Sequence, residues 1–370
     1  MNNYANVLKT DEKAIFELRS LYEKYGYIQY KMSKFEEYDL YVKNKDFLVS
    51  DSIITFNDTN GKLLALKPDV TLSIIKNTQD AAGSVQKVYY NENVYRVSKG
   101  THTFKEIMQT GLECIGDIDT FNLCEVVALA AKSLNAISDS FALDISHMGI
   151  VSAVLNAIDV PDDEKAEILK CIGEKNTHDI KKICDKYGAD CENIIALVST
   201  YGKIGDVIEK LKNLNCDFAG ALTELEKINA FMIHEGFENC INLDFSIVND
   251  MNYYSGIVLR GFIEGIPTGI LSGGQYDKLM AKMGRKCGAV GFAVYLDMLE
   301  RLNENVKKYD VDTVLLYNTD ANEVDIANLI KMFTDNGNSV LAVKTIPEGL
   351  KYRQLIRLND RGFEILENND

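Results

Sequence analysis

The stretch Met108 to Ile115 constrains this chain more than any other. Read as a strand, it puts Gln109, Gly111 and Glu113 on one face and Met108, Thr110, Leu112 and Cys114 on the other, because side chains alternate with a period of two. The second face reads as core. On the first, an amide and a carboxylate flank a residue without a side chain, which leaves a floor for a small polar, cationic molecule. A half-exposed antiparallel strand with a solvated polar face fits the same letters, and taken alone the stretch favours that plainer reading.

Neighbouring segments raise the pocket reading. Apolar residues recur at helical spacing from Glu12 to Tyr25, and Gly26 stands where a helix end wants a left-handed residue. Ile28, Tyr30 and Met32 alternate as a strand, and Ser52 to Phe56 with Lys62 to Leu66 form a hairpin about Asp58-Thr59-Asn60-Gly61. Lys67-Pro68-Asp69-Val70-Thr71 leads into a short helix, Leu72 to Lys76. There Asp69 and Thr71 either cap the helix or point into a cleft as an anionic acceptor and a hydroxyl. Val85 to Tyr90, Val94 to Val97 and Met108 to Ile115 read as an antiparallel set, with the polar loop Ser98 to Lys105 between the last two. Arg96 faces away from Tyr95 and Val97, either as a surface ion-pair partner or as an anion-binding group.

Further along, Asn122 to Leu134 reads as a helix, Phe141 to Ser146 as a strand, and a helix starts near Gly149. Between Pro161 and Gly236 helical segments succeed one another without a strand signal: Asp162 to Ile172, His178 to Lys186, Glu192 to Tyr201, Lys203 to Leu214 and Phe218 to His234. That is an inserted helical subdomain with a structural role, a docking surface or a lid. Strands resume at Ile241 to Val248, and Asn252 to Phe262 pairs with Thr268 to Ser272. Tyr253 and Tyr254 are adjacent, so on a strand only one can face a cleft. Ser272 to Asp277 bends into a helix, and Cys287 to Ala293 enters a last helix, Val294 to Leu302. After a break at Asn303 to Tyr309, strand, helix and strand follow at Val311 to Tyr317, Asn322 to Thr334 and Ser339 to Val343, with Phe363 to Leu366 adding a strand. The expected fold is α+β: an antiparallel sheet flanked by helices in residues 1–160 and 237–303, a helical insertion at 161–236, and a small C-terminal α/β tail at 310–370.

Composition narrows the function. Of 370 residues 46% are hydrophobic and 26% charged, as in a globular protein. A formal net charge of −15 repels phosphate backbones, so no nucleic-acid partner is expected. The eight cysteines are scattered without a C-x-x-C pair, and only four histidines stand by to complete a metal set. Neither metal nor cofactor is expected, and the thiols read as reduced. Met1 to Lys13 is polar, and no run approaches the ~20 apolar residues that span a bilayer, so no membrane partner and a cytoplasmic location are expected.

Five segments in order resemble the histidyl-tRNA synthetase family of class II synthetases. Val88 to Gly116 (VYYNENVYRVSKGTHTFKEIMQTGLECIG) resembles motif 2. Lys67 to Thr71 (KPDVT) is similar to R-P-E-G-T, and Asn249 to Tyr254 (NDMNYY) stands where the family writes R-G-L-D-Y-Y. Ser272 to Leu279 (SGGQYDKL) resembles G-G-R-Y-D-G-L, and Ala289 to Leu299 (AVGFAVYLDML) resembles motif 3. The resemblance implies a class II synthetase-like sheet and a histidine pocket. Asp69, Thr71 and Gln109 would take the α-ammonium, and Glu113, Tyr254 and Tyr276 the imidazole, with Arg96 and Tyr253 completing the histidine-binding set.

Departures fall on the ATP side. Asn249 replaces the histidine-specific arginine, Met298 the motif 3 arginine, and Ser98 the motif 2 glutamate that positions adenine, while Arg96 remains. An arginine that stabilises phosphoryl charge is worth roughly 10³ to 10⁵ in rate, so negligible adenylate formation and no catalytic residues are expected. This combination, with a shortened tail, resembles the ATP phosphoribosyltransferase regulatory subunits. That family implies a non-catalytic partner of the short-form catalytic subunit, with histidine as effector and a homodimer inside a hetero-oligomer. Motif 1, here Gly26 to Glu36 with Ser33 for the usual proline, would form the dimer. An active histidyl-tRNA synthetase-like enzyme and a purely protein-binding scaffold are the competing readings.

Overall fold

Around Leu112 the expected strands assemble into a nine-stranded sheet. The computed structural model describes residues 8–45, 48, 53–78, 83–98, 101–248, 253–302, 308–359 and 362–369. The sheet runs Ile28–Gln29, Val85–Val97, Phe104–Gly116, Gly288–Tyr295, Leu271–Gln275, Ile257–Ile263, Phe141–His147, Ile241–Asp244 and Tyr201–Lys203. The first pair is parallel, as is Phe141–His147 with Ile241–Asp244; the rest are antiparallel.

Alternation gives the sheet two chemically distinct faces. On one, Tyr89, Leu112, Cys114, Val290 and Phe292 are buried under the helices Thr10–Lys24 and Thr120–Ile137. Tyr22 of the first helix packs edge-on against Phe292 at 6.2 Å, and its hydroxyl meets Ser133 of the second at 3.0 Å. On the other face Tyr90, Val94, Ile115 and Ala289 join Val70, Leu72 and Tyr276 in a second core. Gln109 and Glu113 lie on this side and are only 3% and 2% exposed, so the solvated-face reading of Met108 to Ile115 is wrong.

Several elements differ from expectation for identifiable reasons. Val85 to Tyr90 and Val94 to Val97 are one strand, Val85–Val97. The polar Asn91-Glu92-Asn93 run hides its continuity, yet Glu92 pairs with Gln109 across the strands and takes an ion pair from buried Lys67 at 2.5 Å. The expected strand at Ile28 to Met32 is reduced to Ile28–Gln29, while Phe35–Glu37 joins the hairpin strands Thr55–Asn57 and Leu63–Leu66 in a separate three-stranded sheet. Ser52 of the expected hairpin lies outside the described residues. The stretch 161–236 does contain a strand, Tyr201–Lys203, too short to leave a periodic signal. Its helices share the main core through Ile168, Ile180, Leu225 and Ile228.

Two corrections matter for the site. Cys287 to Ala293 does not lead into a helix at Val294: Gly288–Tyr295 is a central strand, and only Leu296–Leu302 turns, as a 3₁₀ helix. Tyr253 and Tyr254 precede the strand Ile257–Ile263 rather than lying on it, so alternation does not separate them.

The chain divides into compact units at residues 1–302 and 303–370. In the second, parallel strands Val340–Val343, Val311–Leu316 and Tyr352–Asn359 are followed by the antiparallel Gly362–Asn368, with the helix Glu323–Asp335 between the first two in sequence. Tyr352–Asn359 was not expected: only Leu355 and Ile356 of this strand are buried, and the charged neighbours mask its pattern. Residues 303–307 of the expected break lie outside the described residues.

Candidate functional site

A cavity of about 260 Å³ opens on the second face of the nine-stranded sheet. All eight residues expected from the sequence line it: Asp69, Thr71, Arg96, Gln109, Glu113, Tyr253, Tyr254 and Tyr276. Its floor is flat because the strands supply almost no side-chain bulk there. Glu113 pairs with Gly291, and Gly111 with Ala293, across adjacent strands. A Cβ on Gly111 would stand 2.6 Å from the Tyr90 hydroxyl oxygen and 2.3 Å from the Phe292 carbonyl oxygen, so glycine is required for this close approach.

Glu113 is the fixed point. Thr71 Oγ1 donates to its Oε1 at 2.8 Å, and the Tyr276 hydroxyl donates to its Oε2. Burial nevertheless pushes the Glu113 carboxyl up to about 8, against the pull of those two hydroxyls. Asp69 serves both roles left open by the sequence. Its Oδ1 accepts from the Leu72 backbone N–H at 2.9 Å, capping the first turn of Thr71–Asn77, while the carboxylate lines the cavity. Burial raises its pKa, opposed by the Leu72 N–H and by the Arg96 charge. Two carboxyls held in a desolvated cavity favour a ligand that brings positive charge and N–H donors.

Arg96 is the lone cation among the described lining residues, and its Nε donates to the Pro68 carbonyl at 3.0 Å. That bond ties the Asp69 loop to the strand Val85–Val97. Three tyrosines cluster in the cavity: Tyr253 stacks edge-on against Tyr254 at 4.7 Å, and its ring centre is 5.9 Å from that of Tyr276. Burial raises all three phenols well above the ordinary range, so they act as neutral donors.

The positions expected to have lost the ATP-binding groups are not among the cavity's described lining residues. Met298 sits in the 3₁₀ turn, its sulfur accepting from Thr268 Oγ1 at 3.7 Å. Ser98 ends the strand Val85–Val97 with its N–H on the Thr103 carbonyl. Asn249 lies outside the described residues. Among the described residues no group of three His, Cys, Asp or Glu side chains could hold a metal ion, and no helix is long and apolar enough to cross a membrane.

Sequence reasoning missed Tyr90, Ser272, Ala293 and Tyr295, all of which line the cavity. Tyr90 shares the face of Gly111 and was recoverable from alternation. Tyr295 was hidden by the expected helix.

The family model described as Histidyl-tRNA synthetase matches residues 6–299. The chain is 24% identical over 369 residues to an ATP phosphoribosyltransferase regulatory subunit of Ruminiclostridium cellulolyticum, covering 95% of this chain and 87% of the relative. It resembles the crystal structure of an ATP phosphoribosyltransferase regulatory subunit/histidyl-tRNA synthetase from Bacillus halodurans, with TM-score 0.75, 22% identity and coverage of 94% and 93% of the two chains. It also resembles a chain of an ATP phosphoribosyl transferase complex from Thermotoga maritima, with TM-score 0.63, 20% identity and coverage of 77% and 97%.

Proposed function

The chain belongs to the histidyl-tRNA synthetase family, and from that premise we propose that it is the non-catalytic regulatory subunit of ATP phosphoribosyltransferase, with histidine as the ligand of its cavity. One observation carries this reading. The cavity presents the carboxyls of Asp69 and Glu113, a buried amide and five tyrosines to an amino acid, but one guanidinium among its described lining residues. Histidine matches that set. Its ring N–H meets Glu113, its ammonium lies between Asp69, Thr71 and Gln109, and its carboxylate faces Arg96. A triphosphate would need several cations where these residues place one.

The regulatory-subunit relatives support the partner: the short-form catalytic subunit that joins ATP to phosphoribosyl pyrophosphate in the first step of histidine biosynthesis. Those substrates put the work in the cytoplasm. Histidine acts by linkage, shifting the assembly towards whichever arrangement holds it more tightly. Within the assembly the chain forms a homodimer through Gly26 to Glu36, a segment whose Ile28 and Phe35 are 73% and 47% exposed. Isothermal titration of the purified chain with L-histidine, alone and with the catalytic subunit, tests the ligand. Saturable heat at a single class of site supports it; no heat in either titration overturns it.

A further inference from the structure

The cavity floor has a definite end. Along the strand Gly288–Tyr295 the cavity is lined by Gly291, Phe292, Ala293 and Tyr295, and because the Phe292 ring packs against Tyr22 on the opposite face, the first large side chain on that floor is Tyr295. Gly291 stands beside Glu113, and Tyr295 stands beside Gln109. Four residues of strand separate these two rungs, about 13 Å at about 3.3 Å per residue. A free amino acid with a five-membered ring spans roughly half of that by ordinary bond lengths, leaving room for its polar ends and no more. Tyr295 lines the cavity together with Tyr90 and Tyr254, which puts its side chain on the cavity side of the sheet. A volume of about 260 Å³ also falls below the ~300–1,000 Å³ of sites for larger ligands.

We infer that Tyr295 sets ligand length: its ring closes the glycine- and alanine-lined floor, so that the site takes a free α-amino acid and rejects the same amino acid extended through its carboxyl group. The inference rests on the histidine reading and adds to it a steric barrier to nucleotide, independent of missing charge. A ligand anchored by its ring at Glu113 and its ammonium at Gln109 directs its carboxyl towards Tyr295 and Arg96. Any ester, amide or acyl-nucleotide group attached there meets the phenol.

The probes are L-histidine and a non-hydrolysable histidyl-sulfamoyl adenosine, titrated calorimetrically into the full chain and into Tyr295→Gly and Tyr295→Phe. The full chain is expected to bind histidine at least about tenfold more tightly than the extended compound. Tyr295→Gly should bring the two affinities within about threefold, and Tyr295→Phe, which keeps the ring, should preserve the original ratio. Equal binding of both probes by the unmodified chain overturns the inference, as does an unchanged ratio in Tyr295→Gly or a relaxed ratio in Tyr295→Phe. If Tyr295→Gly fails to fold, the unmodified chain and Tyr295→Phe still decide it. Absence of histidine binding to the unmodified chain overturns the histidine reading as well, whereas histidine binding with the wrong ratio overturns this inference alone.

Discussion

Glu113 and Gly291 are direct cross-strand partners, and a Cβ built on Gly291 would fall 1.9 Å from a Glu113 carboxylate oxygen and 2.4 Å from the Leu112 carbonyl oxygen. The glycine is therefore what lets Glu113 lie flat against the floor. Gly291→Ala must displace both the carboxylate and backbone. It is expected to cost about 1–3 kcal/mol of stability, as overpacking does, and to abolish histidine binding. Urea unfolding and calorimetric titration of the variant check both.

Glu113 should also leave a signature in stability against pH. Its carboxyl is raised from an ordinary 4.5 to about 8 by burial, so between those values the folded chain holds a proton that the unfolded chain has released. Stability without histidine then falls as pH rises across that window. Asp69 is raised by burial as well and acts in the same direction. Glu113→Gln removes only the first contribution, so its urea midpoint should fall less than the parent's between pH 5.5 and pH 8. An identical fall in both proteins would place Glu113 in water. At constant pH the same variant should lose about 1–3 kcal/mol of histidine affinity.

In the proposed histidine pocket Arg96 is assigned to the ligand carboxylate. Arg96→Ala should weaken histidine by about 1.5–3 kcal/mol, the range for hydrogen bonds to charged groups, while histamine, which lacks that carboxylate, changes little. Competition titrations with the two ligands separate this role from a general loss of the pocket. Equal losses for both would mean that Arg96 serves only to hold Pro68.

Lys67 supports the Asp69 loop from beneath. It is fully buried, pairs with Glu92 at 2.5 Å, and its carbonyl accepts from the Tyr95 N–H at 2.9 Å. Lys67→Ala leaves Glu92 without its counter-charge, and a loss of about 3–5 kcal/mol is expected in urea unfolding. Lys67→Met with Glu92→Gln together should recover most of it, because both members of the pair are then neutral.

Much of this site was legible in the letters because it depends on local rules. Gln109, Gly111 and Glu113 share a face by strand periodicity alone, and the fold keeps them together. Asp69 and Thr71 were marked by their place before a helix. What periodicity does not carry is the partner across a strand. Gly288–Tyr295 is a strand of small residues beside an apolar turn, and its letters suit a helix until Glu113 and Gln109 are laid against them. Tyr295 was lost with that element. Tyr201–Lys203 was missed because three residues paired at the sheet edge leave no periodic pattern, and Tyr352–Asn359 because only Leu355 and Ile356 of it are buried although it pairs on both sides. Tyr253 and Tyr254 escape alternation because neither belongs to a strand.

We propose that the chain senses histidine for another enzyme and performs no chemistry on it. The most direct test is reconstitution: formation of phosphoribosyl-ATP is followed for the short-form catalytic subunit alone, with this chain, and with this chain plus histidine. Activity should appear only when both chains are present, fall when histidine is added, and lose that response when Glu113→Gln replaces the parent. Activity of the catalytic subunit that is indifferent to this chain, together with histidine-dependent exchange of pyrophosphate into ATP by this chain alone, would make it a synthetase and not a regulator.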